Sequence, residues 1–332
     1  MGLLFAWTAC QQGKHPEATS GADSLFESQM LARLTDSIRK YPDQAKLYFD
    51  RGGMLYVMKA YALAEKDIQK AISLDARQPT YYEALGEIRL AADSLSGALE
   101  AYRNALRLEP HLVTARLKLA YVLFQLEQYH ETINQTDTLL GQDARLAKAY
   151  GLRSQAYEAL GDTLRALKYM KEAVRLSPED YDALMALGDL LRGRKDQSAR
   201  AYYGKAARLD TTQAEPLYAI GQLWEALGRS DSAIAAYRDC IARDAYDLQA
   251  YLGLGRLYER QQDWQEALKV FTLASRVGPT DPEIFYHRGL CHEKLHQMEA
   301  ALHDYENASA LPGGHADAEA ALNRLRQAQP HS

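Results

Sequence analysis

The stretch LQAYLGLGRLYERQQDWQEALKVFTLASRVGPTD, residues 248–281, decides the fold. Tyr251, Leu254, Leu257 and Tyr258 recur at three- and four-residue steps and mark one apolar stripe of a helix. Gln261-Gln262-Asp263 interrupts the stripe with polar residues. Trp264, Ala267, Leu268, Phe271 and Ala274 then trace a second stripe, which stops before Gly278-Pro279. Gly255 and Ala267 fall where the two helices would cross, and their small side chains let the backbones approach.

The same unit repeats along the chain. Small residues stand at Gly52, Gly86, Ala120, Ser154, Gly188, Gly221, Gly255 and Gly289, spaced by 34 residues except for one step of 33. Two more ladders keep this period: Ala64, Ala98, Thr132, Ala166, Ala199, Ala233, Ala267, Ala301, and Ala71, Ala105, Leu139, Ala173, Ala206, Cys240, Ala274, Ala308. A glycine inside a helix costs about 1 kcal/mol relative to alanine, so its recurrence points to a packing need. The short step places a one-residue deletion between Gly188 and Ala199, in the turn around Arg194 to Gln197. A fixed period of this length specifies an all-α solenoid of helix pairs.

Tyr251, Leu254, Gly255, Tyr258, Ala267, Phe271, Ala274 and Pro279, with Tyr82, Leu85, Gly86, Ala98, Tyr102, Ala105 and Pro110 in the second unit, resemble the tetratricopeptide repeat. The resemblance covers eight units over residues 45–314 and implies a right-handed superhelix. Arg116, Thr132, Thr136 and Leu139 make the third unit depart most from the pattern, and it is expected to be the loosest. Residues 24–44 read as a half-repeat, a second helix without its first, spanning Phe26 to Lys40. Residues 315–332 read as a capping helix and tail, with Ala320, Ala321, Leu322 and Leu325 inward.

Bulk properties exclude several classes. The 332 residues are 47% hydrophobic and carry a net charge of −5, with no basic cluster to neutralise phosphates, so nucleic acid is not an expected partner. No apolar run approaches the roughly 18 residues of a membrane span. Three cysteines build no disulfide framework; Cys240 and Cys291 fall in phase with the repeat and read as small core residues. Most tyrosines, including Tyr48, Tyr82, Tyr150, Tyr237 and Tyr251, occupy signature positions and read as core.

Residues 1–23 are different. Leu3-Leu4-Phe5-Ala6-Trp7 followed by Thr8-Ala9-Cys10 resembles the lipobox of a bacterial lipoprotein, with Cys10 as the lipidated residue and Gln11 to Ser24 as a polar tether. The apolar stretch is shorter than a full signal, lacks a preceding Lys or Arg and carries Trp7 where the family prefers Leu, Val or Ile. A start site placed too far downstream would account for its length and missing charge. This resemblance implies a bacterial cell envelope location, the membrane being reached through the lipid alone; the alternative is a cytoplasmic adaptor.

His292-Glu293-Lys294-Leu295-His296 fits H-E-x-x-H, in which two histidines on one helix face bind zinc and the glutamate activates water. Register opposes a zinc hydrolase: His292 aligns with packing residues such as Leu55 and Trp224, while His296 aligns with Gly161 and Gly228 in a turn. No phosphate loop, nucleophile elbow or C-x-x-C is present. The expected function is therefore non-enzymatic, with no metal, no cofactor and no small-molecule substrate.

In tetratricopeptide arrays the first helix of each pair lines a groove for a peptide or partner helix. The resemblance implies groove positions at Phe49, Tyr56, Glu83, Glu87, Leu90, Leu117, Tyr121 and Phe124. It extends them to Gln155, Asp189, Tyr218, Gln222, Arg256 and Tyr286, with Met185 and Leu252 also outward. Such a groove is aromatic near the N-terminus and charged towards the C-terminus. The carboxylate clamp of co-chaperone members is absent, its places being filled by Phe49, Gly53, Ala84, Thr114 and Lys118.

Overall fold

The computed structural model describes residues 21–328, which form eighteen helices and, among these residues, no strand. The chain divides into two compact units, Met1–Leu176 and Ser177–Ser332. The first holds α1 (Gly21–Lys40) and the pairs α2 (Ala45–Val57)/α3 (Tyr61–Leu74), α4 (Pro79–Ala91)/α5 (Leu95–Leu108), α6 (Val113–Gln125)/α7 (Tyr129–Gln142) and α8 (Ala147–Ala159)/α9 (Thr163–Leu176). The second holds α10 (Tyr181–Gly193)/α11 (Ala199–Leu209), α12 (Glu215–Ala226)/α13 (Ser230–Arg243), α14 (Leu248–Arg260)/α15 (Trp264–Val277) and α16 (Pro282–Lys294)/α17 (Met298–Ala310), then α18 (Ala316–Ala328).

The turn inside each pair is the same device eight times. Lys59, Asp93, Glu127, Gly161, Lys195, Gly228, Gln262 and His296 adopt left-handed backbone, with φ between 56° and 79°. The N–H that follows each of them bonds back across the helix end, as Ala60 does to the Leu55 carbonyl at 2.8 Å and Gln297 to His292 at 2.8 Å. This closes carbonyls that the first helix would leave unpaired, which offsets the cost of a left-handed non-glycine residue.

These left-handed residues locate the deletion. Lys195 follows Gly161 by the full interval, whereas Gly228 follows Lys195 by one residue less, so the loss lies between Lys195 and Ala199. Seven second helices begin two residues after the left-handed residue; α11 begins four after it and has lost its first turn.

The small-residue ladder meets a ladder of large residues on the second helix. A Cβ added at Gly86 would stand 2.6 Å from the Tyr102 ring, and one at Gly52 would stand 2.8 Å from Ile68. Gly188, Gly221, Gly255 and Gly289 stand in the same way against Tyr203, Tyr237, Phe271 and Tyr305. Where the small residue is Ala120 or Ser154, the corresponding large residue is Thr136 or Met170, not a ring. Ser154 uses its hydroxyl to donate to the Ala166 carbonyl at 2.7 Å, across the same crossing. At these two crossings a larger first-helix residue thus accompanies a smaller second-helix residue.

Polar bridges join some second helices through the first. Arg51 donates to both Asp67 oxygens at 2.6 and 2.7 Å and to Thr35 at 3.3 Å. Arg288 repeats the arrangement with Asp304, at 2.7 and 2.5 Å, and Ser275 at 2.9 Å. In the third repeat Thr132, Thr136 and Leu139 are fully buried, and the two hydroxyls donate to the Gln128 and Ile133 carbonyls.

The C-terminal helix α18 lies in register as a further first helix, 34 residues after α16. Its buried face is Ala318, Ala321 and Leu322, with Leu325 packed beside them; Ala320, expected inward, is exposed. The i, i+3, i+4, i+7 spacing starts from Ala318, which places Ala320 on the solvent side. Asn323 takes the small-residue position and is exposed.

Gly221→Ala forces a methyl into the Tyr237 ring and is expected to destabilise the second unit by about 1–3 kcal/mol. Gly151→Ala meets no atom within 4 Å and is expected to leave stability unchanged or raise it by up to about 1 kcal/mol. Urea unfolding followed by circular dichroism checks both.

Candidate partner-binding face

The predicted groove positions recur on the first helices, and the two units treat them differently. In the first unit several aromatic side chains are partly spent on packing. Phe49 lies 4.9 Å from Tyr81, Tyr56 lies 5.9 Å from Tyr61, and Phe124 lies 5.6 Å from Tyr129, as ring centroids. Leu90 packs against the core around Tyr102, and Leu117 is half-buried. Tyr121 is 43% exposed and stacks on none of the described rings. Gln155 is exposed.

An acidic pair sits beside these residues on α4. Glu87 pairs with Lys118 at 3.1 Å. Burial pushes the Glu83 carboxyl above its ordinary pKa; a hydrogen bond from Thr114 and the charge of Lys118 oppose the shift, and Glu87 and Glu109 add to it. The buried Tyr102 hydroxyl has no hydrogen-bond partner in the structure. Its equivalents are satisfied: Tyr203 donates to Asp189 and Tyr305 to Glu293, each at 2.8 Å, and Tyr237 donates to Glu225. The second repeat carries Leu90 where Glu225 and Glu293 stand.

In the second unit the charged positions are tied up within the fold. Asp189 accepts from Tyr203 and from Arg192 at 2.9 Å. Glu225 pairs with Arg260, Arg256 with Glu283, and Glu293 with Arg324 at 2.7 Å. Glu259 faces His287 at 2.9 Å. Tyr218 lies 5.7 Å from Tyr237, and Gln222 on the same helix is half-buried. Met185 and Leu252, expected outward, are buried at 7% and 2% exposure, because neighbouring helices cover them. Tyr286 is covered as well: the His315 ring stacks on it at 4.0 Å and 9°.

Family models described as tetratricopeptide repeat match residues 56–207, 218–282 and 254–326, which together make up most of the chain. This chain belongs to the tetratricopeptide-repeat family. The DnaJ protein P58IPK homolog B of Oryza sativa subsp. japonica is 25% identical over 270 residues, covering 72% of this chain and 57% of that protein. The BBSome complex member BBS4 of Bos taurus is 24% identical over 207 residues, covering 62% and 40%. The chain thus spans about half the length of these curated relatives. Among solved structures, the C-terminal part of a TPR repeat-containing protein from Cytophaga hutchinsonii superposes with a TM-score of 0.56 at 18% identity, covering 70% of this chain and 96% of that one. At that identity the likeness concerns the fold.

The remaining chemical candidates follow tetratricopeptide register. The helix that carries His292 ends at Lys294, and His296 sits in the left-handed turn with φ 60°, so the two histidines do not share a helix face. Glu293 is engaged by Tyr305 and Arg324, and His292 meets Gln297 at 2.6 Å. Among the described residues no three His, Cys, Asp or Glu side chains are grouped to hold a metal ion. Cys240 and Cys291 are buried, and burial pushes both thiols far above the range in which a thiolate forms. Of the tyrosines expected in the core, Tyr237 and Tyr251 are buried, while Tyr48, Tyr82 and Tyr150 are half-buried. Cys10 lies outside the described residues.

His315 gives the C-terminal helix a pH dependence with a defined sign. Its Nδ1 is buried with no hydrogen-bond partner in the structure, and burial holds its pKa below 6.5; His287 adds to this effect and Asp317 opposes it. The proton binds better once the ring leaves Tyr286, so docking of α18 is strongest above the ordinary histidine pKa and weakens as pH falls through it. Amide exchange of α18, corrected for intrinsic rate, is expected to rise relative to α14 between about pH 7 and pH 5. His315→Phe is expected to flatten that rise.

Proposed function

We propose that this tetratricopeptide chain is a non-enzymatic interaction scaffold whose first-helix face in the unit Met1–Leu176 receives an extended peptide or a partner helix. The observation that carries the reading is the contrast between the units. Tyr121 is exposed and unstacked on one groove face, whereas the polar positions of the other face are consumed by ion pairs and tyrosine hydroxyls. An exposed aromatic flanked by polar groups is the usual composition of a binding anchor. The bovine relative is itself a member of the BBSome complex, which agrees with a scaffold role.

A photo-crosslinking amino acid at position 121 tests this, with position 164 on α9 as control because Leu164 is 69% exposed. Discrete adducts from 121 and none from 164 are expected. Equal labelling from both positions would remove the groove assignment.

The reading includes attachment to a bacterial envelope membrane through lipidated Cys10, supported by the sequence from Leu3 to Cys10 alone. Its alternative is a cytoplasmic adaptor. Metabolic labelling with a fatty-acid analogue separates them: incorporation lost in Cys10→Ala supports the anchor, and no incorporation into the wild type favours the adaptor.

A further inference from the structure

We propose that the turn between α2 and α3 rests on the lipid surface to which the chain is tethered, with its aliphatic tips in the bilayer interface and its lysines towards anionic headgroups. This rests on the Cys10 anchor proposed above and adds a second, non-covalent contact with the same membrane.

The corner is apolar where a soluble turn is usually polar. Val57 and Met58, just before the left-handed Lys59, and Leu63, four residues after it, are all exposed, Leu63 to 58%. Single exposed aliphatic residues are ordinary; three around one turn mark a contact surface. The aromatic residues of the turn point elsewhere, since Tyr56 and Tyr61 stack on each other and pack against the core. The second and third turns of the unit carry exposed Asp93 and Glu127, and the fourth returns to exposed Leu160 and Leu164 around Gly161.

Cations accompany the aliphatic tips. Lys59, Lys66 and Lys70 are exposed and make no ion pair among the described residues. Leu63, Lys66 and Lys70 succeed one another at three- and four-residue steps and share one face of α3. Glu65, the acid nearest to them in sequence, is held by Arg89 at 2.8 Å. Because helix turns space these lysines, they form no run in the sequence. Aliphatic tips flanked by unpaired lysines suit an anionic lipid surface, which needs neither a pocket nor a matching shape.

The path of the chain selects the lipid as occupant. Residues 41–44 join the end of α1 to the start of α2, so the two helices run antiparallel and α1 begins at the edge where α2 ends. One period before Tyr61, the start of α3, is position 27; α1 starts six residues earlier, at Gly21, and so runs about 9 Å past that edge. The segment that carries Cys10 therefore leaves from the edge that exposes Val57, Met58 and Leu63. Ten residues separate Cys10 from Gly21, a reach of at most about 40 Å. A lipid at Cys10 holds this corner within reach of the bilayer, whereas Leu108, at the end of α5, lies on the opposite edge.

The test couples the full chain through Cys10 to a maleimide lipid in vesicles of phosphatidylcholine and phosphatidylglycerol; Cys240 and Cys291 are buried and remain unmodified. A polarity-sensitive fluorescent amino acid replaces Leu63, or Leu108 as control. Emission from position 63 is expected to move to shorter wavelength and to be quenched by brominated lipid at least about twofold more than emission from position 108. Val57→Ser/Met58→Ser and Lys59→Glu/Lys66→Glu, with helicity confirmed by circular dichroism, should each reduce the shift, which excludes insertion driven by the fluorophore alone. Equal emission at the two positions, or a shift that ignores both substitutions, overturns the proposal. Chemical coupling makes this outcome independent of lipidation in cells: docking of the coupled chain together with no fatty-acid incorporation into the wild type overturns the anchor alone.

Discussion

Every helix pair of this chain depends on one steric constraint: the first helix must be narrow where a large side chain of the second crosses it. Gly86 admits Tyr102, Gly221 admits Tyr237 and Gly255 admits Phe271, each at a separation that leaves no space for a methyl group. The glycine weakens the isolated helix by about 1 kcal/mol, and the burial of a ring outweighs that by a factor of two or more. Because each pair contacts mainly its neighbours, the constraint has to be met locally in every repeat. Ala120 with Thr136 and Ser154 with Met170 meet it with a larger residue on the first helix and no ring on the second.

Most of this architecture was legible in the sequence because it is periodic. The 34-residue ladders give the helices, their pairing and the misplacement of His296 relative to His292, and the left-handed turns confirm the register. Two features were not legible. Met185 and Leu252 share a register place with Phe49, Leu117 and Tyr218, which are half-buried, and are themselves buried, a property of packing that a single-repeat pattern does not contain. The ion pairs Glu225–Arg260 and Glu293–Arg324 join residues 35 and 31 positions apart, so these charges are paired within the fold. A comparison of each carboxylate with the basic residues one repeat further on could have suggested these pairs.

The contrast between the units follows from these pairings. Tyrosine hydroxyls that cross the narrow position need an acceptor, and in the second unit Asp189, Glu225 and Glu293 provide it. Those carboxylates are thereby withdrawn from recognition, because a buried phenol without a partner is costly. In the first unit the one tyrosine at such a crossing is Tyr102, which has Leu90 at the place of Glu225 and Glu293 and no hydrogen-bond partner, while Glu87, at the place of Asp189, pairs with Lys118. One packing rule therefore leaves the crossing tyrosines of the second unit with carboxylate acceptors and Tyr102 of the first without one.

A double-mutant cycle at Gly188 and Tyr203 tests the steric constraint most directly. Gly188→Ser and Tyr203→Met together reproduce the Ser154/Met170 crossing of the fourth repeat. The account predicts that each single change lowers the unfolding midpoint and that the combination recovers part of the loss, with a coupling of about 1 kcal/mol or more. Losses that simply add would show that the small residues do not set the helix spacing.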